Sequence, residues 1–486
     1  MSTKVRVLSN VFINVTGNKF KLSDIFFDEH IVNIIPKTTI SVVWDEISTK
    51  EKLNAFISKL DIHKLTESPT IIDGEYLLAI PGGVDAHVNF NTPGNEDRED
   101  FEHGSKAAAF GGTTTVIDMP FFTEPPVTTL ENLKLKLLGM QQKSMVDFAL
   151  WGGIDSNEFI EGKNVQLHID ELAKAGVAGF KSYLFSETIS VGELSKLQLQ
   201  VTAALVSQSK KILAIHSEDK DLINSRTFYF KQQDKTDWRS YCEIRDDKAE
   251  AIAIRNVLNV ARRTKCKTLI INISSQMGLS LIRDAKNEGI NISAETCPHF
   301  LYFTQKDFNN PAISNYLKTD PPVKKEADRY ALWEGLKDGT ISFLSSGHLG
   351  CNPETEKLSG NFWEVFNGIP GAEHRVPFLF SEGLRKGKLT AEQVIRLLSA
   401  NPAEYFGLTK KGRLEVGKDA DIALINLWDN EIIKSENMHS KGKYTPFNGI
   451  TFNSIVEKTL LRGKIIADRQ NPAEAETGYG KFITIF

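Results

Sequence analysis

LLAIPGGVDAHVNF, residues 77–90, sets the reading of this chain: a burst of apolar residues that ends on His87 and Asn89. Such bursts recur downstream, each followed by a helix-prone stretch: TTVIDMP (114–120), VDFALWGG (146–153), GVAGFKSYLF (176–185), KILAIHSED (211–219), TLIINISS (268–275), INISAETCP (290–298) and TISFLSSGH (340–348). Short apolar runs alternating with helices predict parallel strands under crossover helices. Eight of them match a (β/α)8 barrel over residues 80–411. Outside it the texture changes. Residues 4–36 and the segments GRLEVGKDADIALINL and IVEKTLLRGKII alternate apolar and polar residues, the pattern of half-buried strands. We expect residues 1–79 and 412–486 to meet in one small β-sandwich, with a polar, helix-prone surface insertion at about 40–70. The expected class is thus α/β, a TIM-like barrel with a β-sandwich built from both termini.

Composition narrows the function classes. A net charge of −4 carries no basic excess, which argues against nucleic acid or anionic membrane as partners. No apolar run reaches the roughly 18 residues of a membrane helix. The start, MSTKVRVLSNVFINV, has no long apolar core or small-residue cleavage site of a signal peptide. Cys242, Cys266, Cys297 and Cys351 are too widely spaced for a zinc motif or a disulfide framework, so a reducing cytoplasm is expected.

In such a barrel the chemistry lies at the carboxyl ends of the strands. Those ends carry His87 and Asn89, Asp118, Lys181, His216, Asn272, Glu295, and Gly347 with His348. A single histidine in an apolar strand is ordinarily structural. A buried lysine is costlier, because an ammonium must be paired or lose its proton. Asp118, Ser274, Glu295 and His299 read as supporting or structural groups. GGTTT at 111–115 reads as a tight helix–strand junction rather than a phosphate cradle. No GxSxG, P-loop or dinucleotide fingerprint is present.

The run PGGVDAHVNFNTPGNEDREDFEHGSKAAAFGGTTTVIDMP resembles the first barrel strand and helix of the dihydroorotase, hydantoinase and allantoinase group. FALWGG, GVAGFKSYLF, AIHSED, AETCPHFLYF, DPPVK, NGIPGAEHRVP, NPAEYFGL and KGRLEVGKDADIALI continue the resemblance in order, over roughly residues 75–465. The Trp-Gly-Gly at 151–153, the ETCPHFLYF run and the NGIPG run are most similar to allantoinase. The resemblance implies a barrel whose mouth holds two metal ions, usually zinc. An HxH pair, a carbamylated lysine, two further histidines and an aspartate hold them. A bridging hydroxide attacks a cyclic amide while the aspartate carries its proton.

Carried across, the first histidine of HxH is His87 and the second falls on Asn89. The bridging lysine falls on Lys181 and the third histidine on His216. The fourth falls on Asn272 in NISS, and the aspartate on Gly347 in SGH. Three positions are kept and three are changed. An asparagine oxygen is a weak neutral ligand for zinc, and glycine offers none. Phe121-Phe122, Lys324 and Arg245-Asp246 are further departures from the family pattern. The expectation is therefore a homologue that is catalytically inactive or repurposed for binding or assembly, with no metal or at most one weakly bound zinc. The alternative is an active hydrolase of a cyclic amide or ureide such as allantoin, with one metal or none. His216 or His348 would then serve as base. Ser274, Cys297 and Asn367 are expected in the substrate pocket, and the resemblance implies a homo-oligomer, dimer or tetramer.

Overall fold

The computed structural model describes residues 5–60, 70–186, 191–471 and 477–486. Eight parallel strands form its barrel. They are Gly83–Asn89, Thr113–Asp118, Asp147–Leu150, Gly179–Tyr183, Ile212–His216, Lys267–Ile271, Ile292–Thr296 and Phe343–Leu344. Each pairs with its neighbour in chain order. Two strands bend to complete the circle. After Trp151 the third strand resumes as Gly152–Gly153 and pairs with the fourth. After a break at 345–347 the eighth resumes as His348–Leu349 and pairs with the first. That second break sets Gly347 in the left-handed region, at φ 61°.

Local sequence accounts for the outer layer. In the helix Asp247–Thr264 the buried residues Ala249, Ala253, Ile254, Val257, Leu258 and Ala261 recur at helical spacing and face the barrel. The Asp246 carboxylate caps its start by accepting from the backbone N–H groups of Lys248 and Ala249. Removing such a cap costs about 1 kcal/mol. The GGTTT junction is as tight as expected, since a Cβ on Gly111 would stand 2.7 Å from the Ala372 carbonyl oxygen.

Both ends of the chain build one mixed sheet. Arg6–Thr16 pairs antiparallel with Lys19–Phe27, and Lys19–Phe27 with Ile31–Pro36. Its other edge runs parallel to Leu78–Pro81, which pairs with Ile422–Asn426. Ile455–Leu461 and Lys464–Asp468 complete the sheet. Strand alternation sends Ile422 and Leu424 into the β-domain's own core and Ala423 and Ile425 against the barrel.

Two segments differ from their sequence reading. The insertion at about 40–70 carries the helices Trp44–Ile47 and Lys50–Ile57. They bury Trp44, Ile47 and Leu53 and so cover the sheet as an amphipathic layer. Residues 61–69 of that insertion lie outside the described residues. Residues 477–486, expected with the β-domain, instead run beside the third barrel strand. Phe148 N donates to Lys481 O at 3.0 Å, Ile483 N to Phe148 O at 2.7 Å, and Ile485 N to Gly176 O at 2.8 Å. The apolar side chain of Ile485 finds its burial under the barrel rather than in the sheet.

Candidate functional site

At the carboxyl ends of the barrel strands lies a cleft. Of the residues picked from sequence, it brings together His87, Asn89, Lys181, His216, Asn272, Gly347, His299 and Asn367. The strand period explains the first pair: His87 and Asn89 are two apart and share one face. Lys181 and Tyr183 repeat the pattern on the fourth strand, with Lys181 Nζ 4.6 Å from the centre of the Tyr183 ring.

Glu295 organises the floor. Its Oε1 lies 2.9 Å from His87 Nδ1 and accepts from Asn272 N at 2.9 Å. Burial lowers the His87 pKa, with the nearby Lys181 acting in the same direction and Glu295 opposing. Burial also brings the Lys181 amine down to about 7, against the pull of Glu295 and Asp118. The residues predict a lowering by desolvation together with the neighbouring histidines; desolvation is the cause that acts. Asp118 is a structural tie, accepting from Phe90 N at 2.8 Å and pairing with Lys136 at 2.5 Å.

A buried chain of charges supports the other wall. His216 Nε2 lies 2.8 Å from Glu218 Oε2, which also accepts from Arg245 Nη1 at 2.8 Å. Arg245 reaches on to Asp320 at 2.7 Å, and Asp320 Oδ2 accepts from Asn367 Nδ2 at 2.6 Å. Burial pushes Glu218 up, but Arg245 and His216 outweigh it and hold the carboxyl at about 2. Sequence reading missed this chain. Its signals were the Arg245-Asp246 departure and the aspartate of DPPVK, which mean nothing until the fold joins them.

Three expected roles change. Ser274 turns away from the cleft, donating through N and Oγ to Glu250 Oε1 at 2.9 Å each. His348 is poorly placed as a substitute base: Nε2 sits 3.0 Å from Glu99 Oε2, and Nδ1 accepts from Ala372 N at 3.2 Å. Both ring nitrogens are therefore engaged away from the cleft. Cys297 lies behind the cleft rather than lining it, with Sγ 3.4 Å from Asn272 Oδ1. A Cβ on Gly347 would stand 2.7 Å from that same sulfur.

The sequence matches the amidohydrolase family over residues 78–466. The chain belongs to that family. It is 33% identical to an allantoinase of Rubrobacter xylanophilus over 396 residues, covering 81% of this chain and 85% of the relative. It is 34% identical to an allantoinase of Bacillus velezensis over 440 residues, covering 90% and 93%. Among solved structures, the L-hydantoinase (dihydropyrimidinase) from Arthrobacter aurescens superposes with a TM-score of 0.86 at 27% identity, covering 99% of both chains.

Amidohydrolases of this family depend on metal. His87, His216 and Lys181 face the cleft, but Asn89 and Asn272 offer only amide groups and Gly347 none. Asn89 Oδ1 is buried without a hydrogen-bond partner among the described residues. Neutral amide oxygens in place of two imidazoles, with no carboxylate at Gly347, do not fit a two-zinc centre. Elsewhere, the one group of three close carboxylates among the described residues is Asp147, Asp419 and Asp421. The Lys411 ammonium already fills it, at 2.7, 2.8 and 2.8 Å. Among the described residues no helix is long and apolar enough to cross a membrane.

Proposed function

We propose that this allantoinase-like amidohydrolase is a repurposed member of its family, one that binds a small cyclic amide or ureide at the barrel mouth without hydrolysing it. Position 347 carries the reading. Glycine there supplies neither an anionic ligand nor a group to carry a proton, and Cys297 Sγ crowds the place where a side chain would begin. Without metal-activated water the nucleophile is missing at neutral pH. Without a proton carrier a further factor of roughly 10²–10⁴ is lost. In this reading the protein holds no metal, or at most one weakly bound zinc on His87, His216 and Lys181. It works as a cytoplasmic homo-oligomer, dimer or tetramer; its four free, buried cysteines suit a reducing compartment.

The test is hydrolysis of allantoin, hydantoin and dihydroorotate by dialysed protein, with and without added zinc. No turnover above background is expected. Turnover at ordinary enzyme rates, abolished by Lys181→Ala, would overturn the proposal. One observation favours a second reading, an active hydrolase with an altered site. The Lys181 amine, brought to about 7, shares the cleft with His87 and His216. Amines poised near neutrality are suited to proton transfer. Metal-free turnover with a pH profile that moves in Lys181→Arg would support it.

A further inference from the structure

Two lysines outside the ligand positions shape one wall of the cleft. Lys318 and Lys357 are each 1% exposed, a setting where lysine is rare because a buried ammonium needs partners for its N–H groups. Both find them in main-chain carbonyls. Lys357 Nζ donates to Asn315 O at 3.1 Å, Phe366 O at 2.7 Å and Gly368 O at 3.0 Å. Lys318 Nζ donates to Phe362 O at 2.7 Å, Trp363 O at 3.3 Å and Val365 O at 2.6 Å. An ammonium has three N–H groups, so each lysine is matched to three acceptors. Phe366 and Gly368 flank Asn367, and Lys357 therefore grips the chain on both sides of it. Gly368 N adds a bond to Lys318 O at 3.0 Å. No helix or strand spans residues 357–374, so these side-chain bonds take the place of a regular ladder. The segment carries Asn367, Gly368 and Ile369 to the cleft.

We propose that Lys318 and Lys357 are positioning residues: they clamp segment 362–368 and so set Asn367 against the ligand in the cleft. The inference rests on the binding role proposed above and names the groups that fix one side of that site. Neither lysine lines the cleft; both act through the main chain around Asn367. Burial brings the Lys357 amine down to about 8, with Lys318 adding to the effect and Cys351, Glu356 and Asp320 opposing it. The Tyr444 ring also faces the amine, 5.3 Å away. A neutral amine keeps two N–H groups and turns a lone pair toward the third carbonyl, which cannot donate to it. The clamp is therefore whole below about pH 8 and loosens above it.

Lys357→Met in the full-length protein tests this, since it keeps the stem and removes the ammonium. Hydrogen exchange at pH 7 should quicken at least about tenfold over residues 362–368, while the barrel strand Ile212–His216 stays protected. Calorimetry at a temperature where both proteins are folded should show hydantoin bound at least about tenfold more weakly by the variant. In the wild type, exchange over 362–368, corrected for the intrinsic effect of pH, should quicken between pH 7 and pH 9. That measurement decides the clamp even where the variant does not fold. Unchanged exchange in the variant, or in the wild type across this pH range, would overturn the clamp. Faster exchange with unchanged hydantoin affinity would make the two lysines structural only and overturn their positioning role. A wild type that binds no hydantoin sinks the binding role, and the exchange result then judges the clamp by itself.

Discussion

The Glu295 carboxylate lies 2.9 Å from Nδ1 of His87 and, through the same oxygen, 2.9 Å from the backbone nitrogen of Asn272. One side chain of the seventh strand thus holds a kept ligand position and a changed one in fixed relation. Glu295→Gln keeps the volume but weakens a charge-assisted hydrogen bond. We expect it to lower unfolding stability by about 1–3 kcal/mol. Urea denaturation of both proteins checks this, and an unchanged midpoint would refute it.

Acid should destabilise the fold through His299. Burial lowers this histidine from 6.5 to about 3, with His87 adding to the effect. The unfolded chain then takes up the proton more readily than the folded one. The contribution is complete above about pH 6.5 and is lost as the pH falls toward about 3. The slope is up to about 1.4 kcal/mol per pH unit. Unfolding measured between neutral and mildly acid pH should show a shallower decline in His299→Gln, and identical slopes would contradict the assignment.

Lys181 should cost stability. Its amine is brought from 10.5 to about 7 by burial, so the penalty is full at and below neutrality and fades as the pH rises toward 10.5. Lys181→Met is expected to stabilise the protein at pH 7 by about 1–4 kcal/mol, with the gain shrinking at pH 10. A variant less stable than the wild type at pH 7 would show that the ammonium is satisfied by contacts that outweigh its desolvation. Uncarbamylated Lys181 is expected in metal-free protein, and an added mass of one carbon dioxide at this residue would count against that.

Metal binding should return only when all three positions are restored. Losing even an outer partner costs 10–100-fold in affinity, and a direct ligand more. Wild-type protein should retain less than about one zinc per chain after dialysis. Gly347→Asp alone should not change this, because Asn89 and Asn272 would still offer only weak amide ligands in place of imidazoles. The triple variant Asn89→His, Asn272→His, Gly347→Asp should take up zinc, since histidine, like asparagine, tolerates the backbone at position 272. Elemental analysis finding two metals in the wild type would defeat this reasoning.

Deleting residues 477–486 should weaken the barrel. It removes the backbone bonds to Phe148 and Gly176, uncovers Ile485's site, and takes from Asp147 Oδ1 the bond it accepts from Lys481 N at 2.9 Å, leaving Arg462 as its partner. A fall in melting temperature with the cleft intact is expected; an unchanged melting temperature would show the tail to be dispensable.

The sequence by itself determined the barrel, the pairing of both termini in one sheet, and the strand ends that carry His87, Lys181 and His216. These features follow from local patterns: apolar bursts, strand alternation and residue type at the end of each burst. That Asn89, Asn272 and Gly347 stand at changed positions is implied only by the family resemblance, carried across residue by residue. Tertiary structure alone decided which supporting groups reach them. The chain from His216 through Glu218 and Arg245 to Asp320 and Asn367 joins residues up to about 150 positions apart. Ser274 was expected in the substrate pocket and His348 as a substitute base, yet their partners Glu250 and Glu99 turn both away from the cleft. A strand period fixes which face a side chain takes, but partners brought from distant strands fix where its donors and acceptors are spent.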